Sequence, residues 1–143
     1  MIARNRRATY DYDIKDTFEA GLVLMGSEVK SLRRGNATIT EGHVSISQFE
    51  AWVFNLHIPE YVYANRFNHE PKRKRKLLLH RQEIERIKRR LDEQGYTAVP
   101  LELYFKGGFV KLSFGLGKGR KHHDKRQHEK AKQDRRDLRD ENY

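Results

Sequence analysis

From Ala51 to Ile58, Trp52, Phe54, Leu56 and Ile58 stand at every second position between Ala51, Val53, Asn55 and His57. The run is rich in aromatic and β-branched residues, and the period of two predicts a strand. Just upstream, His43 to Phe49 sets Val44 and Ile46 against Ser45 and Ser47, so a short break at Gln48 to Ala51 would join the two runs as a hairpin. Leu22 to Arg33 reads as one long strand, in which Leu22, Leu24 and Leu32 share a parity and Val23, Met25 and Val29 face the other way. Gly26 within it predicts a bend or bulge of the kind a barrel corner needs. Tyr10, Tyr12 and Ile14 alternate with Asp11 and Asp13 as a first strand. Leu101, Leu103 and Phe105 lead through Lys106-Gly107-Gly108 into Val110, Leu112 and Phe114, a second hairpin.

Between the fourth and fifth strands the period changes. Leu77, Ile84, Ile87 and Leu91 fall on one helical face opposite a side rich in Arg and Lys, and Gly95 sits where a C-terminal cap glycine belongs. The pattern predicts one main amphipathic helix over about residues 77–94, set against about six strands. The expected fold is mainly β, a small closed antiparallel barrel with a single helix that plugs or flanks it. That is the architecture of OB-like domains, which commonly bind oligonucleotides.

Charge sharpens this picture. Thirty Lys and Arg stand against 20 Asp and Glu among 143 residues, for a net charge of +10 and a pI near 9.9. Such a balance is the footprint of nucleic-acid binding. Gly117 to Tyr143 holds ten of the bases, six of the acids, and almost nothing apolar beyond Ala131, Leu138 and Tyr143. A segment so poor in apolar side chains cannot offset its ordering entropy alone, so on its own it is expected to be largely disordered or a transient helix, ordered by a polyanionic partner. The chain thus divides into residues 1–116, a barrel, and residues 117–143, a basic tail. No apolar run reaches membrane-spanning length and the N-terminus lacks a signal peptide's apolar segment, which predicts a soluble, cytoplasmic protein.

Catalytic chemistry finds no support. The chain has no cysteine, no paired-histidine zinc motif, no nucleophile elbow and no phosphate loop, and Gly115, Gly117 and Gly119 lack dinucleotide-loop spacing. His122, His123 and His128 lie in the tail, where no strand or helix would fix them as metal ligands; no metal or cofactor is expected. Asp11, Asp13 and Asp16 read as the wet face of a strand. Lys72 to Lys76 places five positive charges in a row ahead of the helix, which suggests a phosphate contact because like charges repel without an anion between them. Arg4, Arg6 and Arg7 precede the first strand and fit either a phosphate contact or a frayed end.

The strings NRRATYDY (Asn5 to Tyr12), FEAGLVLMGSEVKSLRRG (Phe18 to Gly35), RKRKLLLHRQEI (Arg73 to Ile84), VPLELYFKGGFVKLSFGLGKG (Val99 to Gly119) and RKHHDKR (Arg120 to Arg126) resemble the SsrA-binding protein (SmpB) family. The resemblance covers Asn5 to Arg126 in order. It implies an OB-like barrel, without enzymatic activity, that binds transfer-messenger RNA and brings it to stalled bacterial ribosomes for trans-translation. It places Asn5, Glu19 and Leu78 on the surface that meets the tRNA-like domain. Glu19 would there accept hydrogen bonds from ribose or base donors or orient a neighbouring arginine, and Leu78 would meet an unstacked base. Charge and position add Arg6, Lys30, Arg33, Lys76, Lys111, Lys118, Arg120 and Lys121 as backbone contacts.

The resemblance also implies that the tail enters the empty message channel, with His123, Asp124, Lys125 and Arg126 at the decoding centre. Beyond them, alternating charges such as Glu129 and Lys132 suit a helix that forms only in that channel, with Lys130, Arg135 and Leu138 as further contacts. Where the family's tails usually carry a pair of larger apolar residues, this chain has only Leu138 before ending in DENY. The implied partners are transfer-messenger RNA, both ribosomal subunits and, through the aminoacylated RNA, alanyl-tRNA synthetase and elongation factor Tu. The chain would act as a monomer on the RNA, away from membranes. The competing reading is a ribosomal or initiation-factor-like OB protein that binds structured ribosomal RNA.

Overall fold

A computed structural model of the chain describes residues 1–63 and 68–120. In order it contains β1 (Ala3–Arg4), α1 (Ala8–Asp11), β2 (Tyr12–Leu22), α2 (Gly26–Arg33), β3 (His43–Ser47), β4 (Glu50–Phe54), β5 (Arg75–Leu78), α3 (Arg81–Leu91), β6 (Tyr96–Lys106) and β7 (Phe109–Gly119). All pairings between strands are antiparallel, in the order β1-β6-β3-β4-β5-β2-β7, and a further β6–β7 pairing closes the ring. Six strands thus form the expected closed barrel, while the short β1 adds to the free stretch of β6.

Alternation on the strands builds the core. Phe18 and Ala20, Val44, Ala51 and Val53, Leu77, Ala98 and Leu103, and Val110, Leu112, Phe114 and Leu116 all point inward. Phe18 stacks on Phe114 with ring centroids 5.6 Å apart. Gly115 and Gly117 let β2 press close: a Cβ on Gly117 would lie 2.7 Å from the Asp13 carbonyl oxygen. The ladder passes straight through the division expected at Gly117, so Gly117–Gly119 belong to the barrel.

Several predicted elements differ. The long strand expected over Leu22 to Arg33 is the end of β2 followed by a helix, α2, so the chain has more than one substantial helix. The buried face of α2 is Ser27, Glu28, Ser31 and Leu32. Its inward side is mostly polar, so an apolar helical period is absent while a misleading strand parity remains. Glu28 explains both the helix start and its burial. Its Oε1 accepts the Met25 amide at 2.8 Å, closing the first turn, and the carboxylate then accepts Arg73 Nη2 at 2.5 Å and Arg75 Nε. Glu28 and Arg75 side chains are 0% exposed. Burial pushes the Glu28 carboxyl up, but hydrogen bonds from Arg73, Met25 and Arg75 outweigh it and the net direction is down. Ser27 and His69 Nδ1 lie 2.9 Å apart, and His69 Nε2 reaches the Ile58 carbonyl at 2.8 Å, fixing the same end of the helix.

The helix expected from residue 77 begins at Arg81, because Leu77 belongs to β5. Leu77 and Ile84 are seven apart and both buried, so a strand residue continued the helical stripe by coincidence. The true start is marked by Glu83, whose Oε1 accepts the His80 amide at 3.1 Å. Gly95 has φ +86°, as its expected place after α3 requires. The strand expected to reach Ile58 stops at Phe54, where Asn55 turns to φ +59°. The strand expected from Tyr10 is β2, which starts at Tyr12 after the single turn of α1 and is preceded by the short β1.

Candidate nucleic-acid interface

The Gly107–Gly108 turn has φ of +59° and +81°, the type I′ geometry that suits a two-residue hairpin. It sets Tyr104 opposite Lys111 and Glu102 opposite Ser113. Across the next pairing Lys111 faces Gly21 and Ser113 faces Glu19. Gly21 in turn faces Leu78 on β5, and Glu102 faces Arg4 on β1. Two adjacent rows therefore cross the barrel, Leu78–Gly21–Lys111–Tyr104 and Glu19–Ser113–Glu102–Arg4. Their neighbours Ala20, Leu77, Leu103 and Leu112 point into the core, so both rows face outward.

Gly21 leaves the middle of the first row low. A Cβ built there would lie 3.6 Å from Leu78 Cδ1 and 3.8 Å from Lys111 Nζ, so an apolar side chain and an ammonium flank bare backbone. Leu78 is 56% exposed, which takes it off the core and onto this surface. Glu19 reaches across β7 to β6: the Tyr104 hydroxyl donates to Glu19 Oε2, and Lys106 Nζ lies 3.2 Å from Oε1. These two hydrogen bonds, Tyr104 first, hold the Glu19 carboxyl below its ordinary range. Burial, then the Glu19 bond, pushes the Tyr104 hydroxyl up to about 12. Glu19 is therefore an oriented anion whose neighbouring cation is Lys106. Lone pairs left over on the carboxylate suit ribose hydroxyls or base amino groups.

The other predicted contacts are dispersed. Asn5 is only 7% exposed, and its Nδ2 donates to the Pro100 carbonyl at 2.9 Å, bracing the chain beside β6. Arg6 is exposed beyond β1. Lys30 and Arg33 stand in the last turn of α2, not on a strand, with Lys30 Nζ 5.8 Å from the Tyr61 ring centroid. Lys76 contacts Glu50 at 3.3 Å. Lys118 lies over the Tyr96 ring at 5.1 Å, and Arg120 Nε donates to the Thr9 carbonyl at 3.1 Å. Within the run Lys72 to Lys76, Arg73 and Arg75 turn to Glu28, so part of the anion that this run calls for is internal. The aspartates take separate cations: Asp11 with Arg7, Asp13 with Lys15 and Asp16 with Arg90. Lys121, His123, Asp124, Lys125, Arg126, Lys130, Arg135 and Leu138 lie outside the described residues.

Sequence reasoning missed Tyr104, Lys106 and Gly21, and left Arg4 undecided. The signal was present in Gly107–Gly108, since a two-residue turn fixes Tyr104 opposite Lys111 without further information.

A family model described as "SmpB protein" matches residues 2–142. The chain belongs to the SmpB family. Relatives agree along nearly its whole length. The SsrA-binding protein of Streptomyces coelicolor is 52% identical over 96% of this chain and 87% of its own. Those of Oceanobacillus iheyensis and Nostoc punctiforme are 50% and 49% identical, each over 96% of this chain and 90% of theirs. A solved chain described as "tmRNA-SmpB: a journey to the center of the bacterial ribosome" shares the fold with a TM-score of 0.71 and 42% identity, covering 84% of this chain and 85% of that one. No described helix is long and apolar enough to cross a membrane.

Proposed function

We propose that this chain binds transfer-messenger RNA and delivers it to stalled ribosomes in trans-translation. The family match over residues 2–142 carries this reading, and the two outward rows supply a surface of suitable chemistry. Lys111 and Lys106 offer phosphate contacts, Leu78 beside the bare Gly21 backbone accepts the face of an unstacked base, and the Tyr104-held Glu19 selects ribose or base donors. Such a set reads the shape of a folded RNA more than its sequence. The tail, beginning after the Arg120 contacts with α1, would probe the empty message channel through His123 to Arg126, its charge drawing it to ribosomal RNA. The synthetase and the elongation factor would meet the chain only through the charged RNA, and the work would take place in the cytoplasm.

RNA recovered with the protein from cells tests this. Transfer-messenger RNA should dominate for the wild type and be lost from Leu78→Ala/Lys111→Glu. Recovery mainly of ribosomal RNA from non-stalled ribosomes would contradict it.

A further inference from the structure

Two hairpins of the barrel close with the same two-residue turn but very different residues. At β6–β7 the left-handed positions are Gly107 and Gly108. At β3–β4, Ser47 pairs with Glu50 and the turn is Gln48–Phe49, with φ of +50° and +62°. Residues carrying a Cβ disfavour that region, and a bulky aromatic does so more than most. Burial does not compensate, because Phe49 is 59% exposed. Its ring is instead held between two cations of α3: Arg81 Cζ lies 5.7 Å and Lys88 Nζ 5.4 Å from the centroid. Those residues are seven apart, two turns along the helix, and flank the buried Ile84, three residues from one and four from the other.

We propose that the β3–β4 turn is an RNA contact, in which Phe49 stacks on an unpaired base of transfer-messenger RNA while Arg81 and Lys88 engage the flanking phosphates. This rests on the function proposed above and extends its surface. An exposed aromatic between cations is the arrangement that binds unstacked nucleotides, because every base has a π face and every link a phosphate. The occupant follows from continuity. Glu50, next to Phe49, contacts Lys76 at 3.3 Å; Lys76 pairs with Trp52, whose ring Lys74 covers at 4.7 Å. Lys76 and Leu78 share the outward side of β5, so the cationic strip runs from the turn directly into the Leu78–Gly21–Lys111 row. Elements this strained and this exposed persist where the side chain has work to do.

The test separates this role from a purely structural one. In Phe49→Gly the turn acquires the residue its geometry favours, so the melting temperature should rise or hold. Affinity for the isolated tRNA-like domain of transfer-messenger RNA should meanwhile fall about tenfold, or about 1.4 kcal/mol, within the range of one base stack. Phe49→Trp should restore binding. The salt slope of Phe49→Gly should match the wild type, while Arg81→Ala and Lys88→Ala should each reduce it by about one phosphate contact. Unchanged affinity in Phe49→Gly overturns the proposal, as does a loss seen only with small ribosomal subunits, which would assign the turn to ribosomal RNA. Failure of the wild type itself to bind the tRNA-like domain would instead defeat the functional reading on which this one rests.

Discussion

Replacing Glu28 by alanine removes a carboxylate held by Arg73, Arg75 and the Met25 amide, and strands a guanidinium inside the barrel. Arg75 is 0% exposed and would keep only the carbonyls of Leu56 at 2.6 Å and Pro71 at 3.0 Å. Two carbonyl acceptors satisfy some N–H groups but do not neutralise the charge. Breaking a buried pair from one side costs about 3–5 kcal/mol. For a body of this size each kcal/mol moves the midpoint by about 4 °C, so thermal unfolding followed by circular dichroism should show a fall of about 12–20 °C at pH 7. Glu28→Ala/Arg75→Met should recover most of it, because apolar packing substitutes well for a whole buried pair. The folded carboxyl lies below its unfolded value, so its contribution is fully present above the unfolded pKa and is lost as pH falls through the folded one. The gap between wild type and Glu28→Ala should thus stay constant from about pH 8 to pH 6 and narrow in acid. A loss under about 1 kcal/mol, or a double variant no more stable than the single, would refute the view that this pair anchors α2 to β5.

Three further outcomes follow from the geometry. In Gly117→Ala the new methyl meets the Asp13 backbone at 2.7 Å and 3.0 Å, forcing β2 from β7, so calorimetry should show a loss of about 1–3 kcal/mol; Gly119→Ala, with open space, should melt like the wild type. Ultraviolet titration should find one tyrosine ionising at about 12, absent in Tyr104→Phe and moved part of the way back toward 10.0 in Glu19→Gln; an unmoved midpoint would sever Glu19 from Tyr104. Truncation after Arg120, which keeps β7 and the Arg120 bonds to Thr9 and Asp11, should preserve transfer-messenger RNA binding and abolish peptide tagging, whereas normal tagging would remove the tail from the mechanism.

The hairpins were legible because their physics is local. Alternation across His43 to Phe54 and the double glycine at 107–108 each specify a strand pair without reference to the rest of the chain. Elements that depend on distant partners were not legible. α2 hides its buried face behind Ser27, Glu28 and Ser31, which are tolerated inside only because His69, Arg73 and Arg75, more than forty residues away, complete their hydrogen bonds and charge. For the same reason the basic run at Lys72 to Lys76 gave no hint that Arg75 is core. In the candidate site, Leu78 and Glu19 came from family resemblance and Lys111 from charge, and the barrel gathers all three on one face. Tyr104 and Gly21 carry no charge to draw notice and enter only through register. Asn5 looks polar and terminal, yet the β1–β6 pairing folds it inward.

The most direct measurement is the affinity of the tRNA-like domain of transfer-messenger RNA for the wild type and for Lys111→Glu at one fixed salt concentration. Lys111 sits mid-row between Gly21 and Tyr104 on the outer surface, so reversing its charge should lower affinity by more than about tenfold while the melting temperature holds. Equal affinities from a folded variant would contradict the placement of the RNA on this face.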